Sequence, residues 1–240
     1  MTKVLFFDIE NSPKLIWAWD LYETNALKVE EQSKLISFSY KWKGERRVKV
    51  HSLKNNSTKG LLLRLHALLD EADIVIGHNS KQFDTKMVNA FFAHEGLKPP
   101  SPYKQIDTLQ IAKSKFKFAS NHLNDLGEYL GCGKKVKTGG IDLWFKCMAG
   151  DKKAWKLMEE YNARDTELLE RVYEKLIPWA ENTPKPELGM TCPACGSLNL
   201  QKRGFSINSV FMSQRLQCTS CGKWCLSSNK IRHNKLAYTK

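Results

Sequence analysis

The chain has 240 residues, 42% of them hydrophobic, with 7 Trp and 11 Phe. That allows one large domain, or a medium domain with a small one, and excludes a chain too polar to bury a core. The formal net charge is +13, which bears on partners and solubility rather than on fold.

Residues 3–9 (KVLFFDI) form a continuous apolar run that reaches an acid, which reads as a buried strand. Residues 34–42 and 46–53 read as further strands, joined by Lys43-Gly44-Glu45. Thr58 is placed as the cap of a helix running to about Glu71, with Leu61, Leu62, Leu65, Leu68 and Leu69 on one face. Residues 73–77 read as a short buried strand, 83–94 as a helix, and 106–108 as a strand leading into another helix. A further helix starts at Ser120 or Asn121, with Leu123, Leu126, Tyr129 and Leu130 spaced for burial, and a long one covers 151–176. Strands come first and then alternate with helices, so the expected fold is an α/β domain with a mixed sheet.

Residues 178–190 hold three prolines and a glycine without periodicity and read as a linker. The expected division is a main domain over 1–177, the linker, a small domain over 191–226 and a basic tail over 227–240. Residues 188–240 hold eight Lys/Arg and no Asp or Glu, so this part carries +8 and the rest +5. An acid-free basic segment suits contact with phosphates, or is simply a solubilising tail. No apolar run approaches the roughly 20 residues that span a bilayer. The N-terminal MTKVLFFDIE lacks the features of a signal peptide. A soluble cytoplasmic protein without membrane contact is expected.

Four carboxylates stand out. Asp8 and Glu10 close the first strand at i and i+2, so both side chains share one face. Two acids there repel each other and resist desolvation, and a divalent cation between them removes both problems. Asp84 lies where a polar loop enters a helix, and Asp165 shares a helical face with Tyr161 at i−4. Taken singly, each has a plain alternative: a solvated strand end, a capping acid, a surface acid beside a half-buried Tyr. Together they suit two hard Mg²⁺ or Mn²⁺ ions, which prefer carboxylate oxygens and at about 4 Å apart clamp the attacking and leaving oxygens of a phosphoryl displacement. Tyr161 is suited to aim a water at phosphorus, since its phenol both donates and accepts.

Cys192-Pro-Ala-Cys195-Gly and Cys218-Thr-Ser-Cys221-Gly are two C-x-x-C-G knuckles. Four thiolates at this spacing suit one tetrahedral, structural Zn²⁺ and leave no open position for catalysis. The segment between them reads as a β-hairpin too short to hold a core unaided, so metal supplies much of its stability. Cys225 is spare or a substitute ligand, and Cys132 and Cys147 are plain thiols. Arg203, Arg215, Lys223 and Lys230, interleaved with Phe205, Phe211 and Trp224, suit a grip on nucleic acid, with protein docking as the alternative.

The order Asp8-Ile9-Glu10, then Asn79-x-x-x-Phe83-Asp84, then Tyr161-x-x-x-Asp165 resembles the three motifs of the DEDD exonuclease superfamily. That superfamily has a ribonuclease H-like fold and includes the proofreading domains of DNA polymerases; the second-motif spacing is similar to that of family B polymerases. Tyr161 marks the DEDDy branch, since the sister branch carries His where this chain has Glu160. Segments 106–108 and 126–131 also look like the family, and the resemblance spans residues 3 to about 176.

The resemblance implies a metal-dependent 3′→5′ exonuclease, acting on DNA more than RNA and at single-stranded ends. Asp8 would bridge two Mg²⁺ or Mn²⁺ ions, Glu10 and Asp165 would complete the nucleophile-side ion, and Asp84 would act on the second. Tyr161 would position the attacking water, and Asn79 would hold the substrate end. Phe83 is expected in the core, and Asp107 as a cap. Trp17, Trp19 and Tyr22, in the insertion 17–31, are expected to pack in the core rather than stack on bases. The expected partner is nucleic acid, with replication or repair proteins as candidates; the sequence carries no sign of oligomeric state. The alternatives are a structure-specific endonuclease or RNA exonuclease on the same fold, or a non-catalytic nucleic-acid-binding protein whose C-terminal knuckles, which resemble a zinc ribbon, do the work.

Overall fold

Residues 2–20, 22, 25–181, 191–208 and 210–232 are described by a computed structural model. The first strand, β1 (Val4–Asn11), is followed by a small hairpin, β2 (Leu15–Trp17) and β3 (Lys28–Glu31), and by β4 (Leu35–Trp42) and β5 (Lys49–Ser52). Then come α1 (Thr58–Glu71), β6 (Ile74–Gly77), α2 (Asp84–His94), β7 (Lys104–Asp107), α3 (Thr108–Lys115), α4 (Leu123–Tyr129), α5 (Asp142–Met148) and α6 (Lys152–Leu176). A 3-10 helix (Ile177–Trp179) and three further strands, β8 (Leu200–Ile207), β9 (Phe211–Cys218) and β10 (Trp224–Arg232), follow among the described residues. Lys3–Tyr173 form one compact unit, and the described residues from Glu174 onward belong to another.

The larger unit holds a mixed five-stranded sheet in the order β5-β4-β1-β6-β7. β1 is antiparallel to β4, β4 to β5, and β1, β6 and β7 run parallel. β1 lies at the centre, where a strand covered on both faces needs a continuous apolar run. Val4, Leu5, Phe6 and Phe7 are all buried.

The two faces of β1 do different work. Leu5, Phe7 and Ile9 join Phe38 and Tyr40 of β4 in a cluster with Leu61, Leu65 and Leu69 of α1 and Val88 and Phe92 of α2. The opposite face meets α6: the Phe6 ring lies edge-on to Tyr173 at 5.3 Å. Strand periodicity therefore turns Asp8 and Glu10, in register with Phe6, toward α6. On β4 the same alternation turns Ser37 and Ser39 to α6. Both are fully buried, and their hydroxyls bond to the Asn162 side chain at 2.8 Å and its carbonyl at 2.7 Å. These small side chains let the helix lie close to the sheet and satisfy its polar groups.

Pairing of β1 with β6 stops at Phe6–Ile76, so Asp8 and Glu10 run past the end of β6. The cleft at the carboxyl ends of parallel strands is the usual ligand position in open α/β sheets.

Several expectations change in detail. The α1 cap is Ser57, whose Oγ accepts from Gly60 N at 3.1 Å, not Thr58. The helix placed at 120–121 begins at Leu123, and Tyr129 is 79% exposed rather than buried, edge-on to Phe118. The hairpin β2–β3 and α5 carry no periodicity strong enough to announce them. Trp17, Trp19 and Tyr22 are 62%, 90% and 80% exposed; they are not core residues, because they stand on a two-stranded hairpin rather than on the main sheet.

The smaller unit holds an antiparallel three-stranded sheet, β10-β9-β8. Its hairpin β8–β9 is the expected one; β10, antiparallel to β9, is additional. Its buried apolar residues include Leu216, Ala194, Cys192 and Cys218, while Phe205, Ile207, Trp224 and Ile231 are exposed. So small a core points to stabilisation by metal. Among the described residues, no helix is long and apolar enough to cross a membrane.

Candidate metal centre and active site

One carboxylate oxygen each from Asp8, Glu10 and Asp165 lies within 4.8 Å of the others. β1 supplies the first two and α6 the third, 1% exposed. Burial is the main cause that raises all three. Asp8, with Asp165, Glu10 and Asp84 repelling it, stands well above the usual carboxylate range. Glu10 is pushed up to about 8, by burial first and then by Asp165. Asp165 is raised by burial, against the pull of Lys135 and Tyr161. Such a site favours either protonation or a cation.

Lys135 supplies a cation to this cluster. Its Nζ donates to Asp165 Oδ2 at 2.5 Å and to the Tyr161 hydroxyl at 3.3 Å, and lies 5.3 Å from the Tyr161 ring centre. Burial pulls the ammonium down, but Asp165, Asp8 and Glu10 outweigh it and raise it. Asn162 Nδ2 donates to Asp8 Oδ2 at 2.7 Å. Asp165 Oδ1 is buried and has no hydrogen-bond partner in the protein. A buried anionic oxygen without a donor is costly, and a hard divalent cation is the ligand that would satisfy it. The donor set therefore fits Mg²⁺ or Mn²⁺.

Asp84 stands outside this trio but within electrostatic reach of Asp8 and Glu10. It is the first residue of α2 and is buried. Burial raises it to about 6, against backbone N–H bonds from its own amide and from Ile9. Tyr161 borders the trio. Burial, then Asp165, Glu10 and Asp8, raise its phenol, so it stays protonated. The ring is fixed edge-on by Trp144 at 6.0 Å. Glu160 is exposed on the same helix.

Asn79 opens the turn between β6 and Asp84 at φ 61°, the non-glycine residue with positive φ among those described. Asp107 holds this turn: its carboxylate accepts from Asn79 N at 2.9 Å, Lys81 N at 3.1 Å and Leu109 N at 3.0 Å. It is the cap of α3, as expected. Gly77 is needed just before the turn, since a Cβ there would meet Ser80 at 2.4 Å. Phe83, expected in the core, is 54% exposed beside Asp84, because the turn points it away from the sheet cluster. Lys135, Asn162, Ser37 and Ser39 carry no motif and were legible only as ordinary polar residues.

In the smaller unit, the Sγ atoms of Cys192, Cys195, Cys218 and Cys221 all lie within 4.8 Å of one another. Cys192–Cys221 is 3.6 Å and Cys195–Cys218 is 3.7 Å. A disulfide needs about 2.05 Å; a tetrahedron with Zn–S of about 2.3 Å has edges of about 3.8 Å. Gly196 and Gly222 adopt φ of 75° and 77° and donate to Cys192 O and Cys218 O at 2.9 Å, closing each knuckle. Burial raises the Cys218 thiol, but N–H groups of Cys221 and Ser220 outweigh it and bring it to about 7. The arrangement fits a zinc ribbon. Cys225 lies outside the tetrad. Lys223, expected to face phosphate, is 7% exposed and thus unsuited to that role. Lys230 sits 5.9 Å from the Phe211 ring.

The family model described as RNase_H superfamily matches residues 5–177. The chain belongs to the RNase H superfamily, a class of nuclease fold. Among solved structures it is similar to the family B DNA polymerase from the hyperthermophilic archaeon Pyrobaculum calidifontis, at 17% identity and a TM-score of 0.56, over 74% of this chain. That similarity concerns the fold, and it spans 25% of the polymerase chain. No curated protein matches.

Proposed function

We infer that this protein is a metal-dependent 3′→5′ exonuclease that hydrolyses phosphodiester bonds of DNA at single-stranded ends by a two-metal-ion mechanism. One observation carries the reading: Asp8, Glu10 and Asp165 converge within 4.8 Å, with Asp165 Oδ1 buried and unpartnered. The 3′→5′ polarity rests on the motif resemblance to proofreading exonucleases, and residues 1–177 are taken as the catalytic domain.

The roles follow from position. Asp8, Glu10 and Asp165 would hold the ions, with Asp84 as a further carboxylate ligand. Two bound Mg²⁺ or Mn²⁺ ions would lower the pKa of a water and neutralise the departing 3′-oxygen. Tyr161, kept protonated, orients the attacking water. Asn162 fixes the Asp8 carboxylate. Lys135, beside Asp165 and Tyr161, would be placed to meet a negatively charged phosphate. Asn79 holds the substrate end, and exposed Phe83 offers a surface on which a terminal base stacks. The ribbon, with Arg203 and Arg215, binds the phosphates of the same strand.

Labelled oligonucleotides blocked at one end or the other, incubated with Mg²⁺ or Mn²⁺, test this. A ladder growing from an open 3′ end supports it. Internal cuts would replace it with an endonuclease, cleavage of RNA alone with an RNA exonuclease, and binding without cleavage with a nucleic-acid-binding protein.

A further inference from the structure

The hairpin β2–β3 carries an apolar surface that serves no step of the proposed cleavage. Leu15, Trp17, Trp19, Tyr22 and Leu27 are all exposed, Trp19 at 90%. The hairpin is a sheet of two strands, each with one edge unpaired among the described residues. A lone hairpin is marginally stable in water, and apolar side chains beside open strand edges are a template for another surface. Residues 15–31 hold four acids and one lysine, in a chain whose net charge is +13.

The base of the same hairpin borders a pocket of about 530 Å³, a volume that takes one small ligand or one large side chain. Lys14 lies just before β2 and Lys34 just after β3, and both line it. Leu35 and Leu62 on its wall are buried, and Met87 and Phe91 of α2 are half-buried. Thr58, the first residue of α1, is also on the lining, so the positive end of that helix adds to the two ammonium groups. The acid on the lining is Glu95, beside His94. Pocket and hairpin are complementary: Trp is a favoured anchor for a desolvated apolar pocket, and Asp20 follows Trp19 directly. Trp19 stands in solvent, so it does not fill the pocket of its own copy. Anchor and pocket belong to one hairpin, and two copies related by a two-fold axis can exchange them reciprocally in a closed dimer.

We propose that the hairpin is a self-association surface, in which Trp19 of one copy enters the pocket of a second copy and the second copy returns the contact. The acids of each hairpin meet Lys14 and Lys34 of the other copy through charge-assisted hydrogen bonds. The assignment does not depend on the nuclease reading and is tested without turnover.

The experiment is sedimentation velocity on the full zinc-loaded chain, without nucleic acid, over a range of protein concentrations and at two salt concentrations. The wild type should form a dimer that weakens as salt rises, since acids meet lysines. Trp19→Ala removes the anchor, and Ala90→Glu places a carboxylate on the pocket lining. Each should weaken dimerisation about tenfold or more. Both positions are exposed, so both variants should fold, which melts check. Mixed together, the two variants should associate more tightly than either does with itself, because the Ala90→Glu chain still offers Trp19 and the Trp19→Ala chain still offers an open pocket. General disruption of the surface would not give that recovery. A wild type that stays monomeric at every concentration would overturn the proposal, and loss of single-strand binding in Trp19→Ala would then assign the ring to nucleic acid. Wild-type dimerisation by either variant, or a mixture no tighter than its components, would overturn it too.

Discussion

Asn162 Nδ2 donates to Asp8 Oδ2 at 2.7 Å, joining α6 to the central strand at the point where the acids converge. The amide is itself aimed by Ser37, whose hydroxyl donates to Asn162 Oδ1 at 2.8 Å. Such a partner orients a ligand without touching the metal. Asn162→Leu should lower kcat/KM about 10- to 100-fold and raise the Mg²⁺ concentration needed for half activity. It should also cost about 1–3 kcal/mol in urea unfolding, because Ser37 and Asp8 lose their partners. Wild-type kinetics in this variant would remove Asn162 from the site.

Raised carboxylates make a statement about stability. Glu10 moves from 4.5 to about 8 on folding, so the folded state holds the proton more tightly. Its contribution is complete below about pH 4.5 and fades as pH rises to about 8. Without divalent ions, the Tm of the wild type relative to Glu10→Gln should therefore fall across that window. Added Mg²⁺ should remove the fall. A difference that is flat or rises in metal-free buffer would contradict the electrostatic description.

On the proposed reading, Lys135 and a metal ion compete for Asp165, which Lys135 Nζ holds at 2.5 Å. Replacing Lys135 with Met should lower the Mg²⁺ concentration for half-maximal activity, since no ion pair has to be broken. It should also reduce kcat about tenfold, within the range of a lost electrostatic donor, and lower the Tm of the metal-free protein. A Mg²⁺ titration of cleavage rates, with melts beside it, separates these effects.

One zinc per chain should be released on denaturation, and Cys192→Ser should lose it. Cleavage of short oligonucleotides should survive in that variant. Binding of long single strands should weaken, with a shallower dependence on salt, because phosphate contacts are lost. Full zinc content after the substitution would reject the ribbon.

Trp19 is 90% exposed and Trp17 62%. Trp19→Ala should leave stability within about 0.5 kcal/mol. If these rings stack on the strand, each substitution weakens single-strand binding by about 1–3 kcal/mol without changing the salt slope, since no phosphate contact is removed. Affinity measured at two salt concentrations decides this.

The sequence alone determined what depends on neighbours a few residues away. A run such as KVLFFDI must be covered on both sides, and period-two geometry puts Asp8 and Glu10 on one face wherever the strand is placed. Two C-x-x-C-G turns bring their thiols together in pairs by local backbone shape. Tertiary structure decided the rest. Asn162 meets Asp8 across 154 positions, and Lys135 reaches Asp165 from a loop without any motif. Asp84 is held slightly apart from the trio, and Phe83 and three aromatic residues of the β2–β3 segment stay in solvent. Burial, partner choice and proton affinity depend on what packs against a side chain from elsewhere in the fold, and no window of sequence contains that.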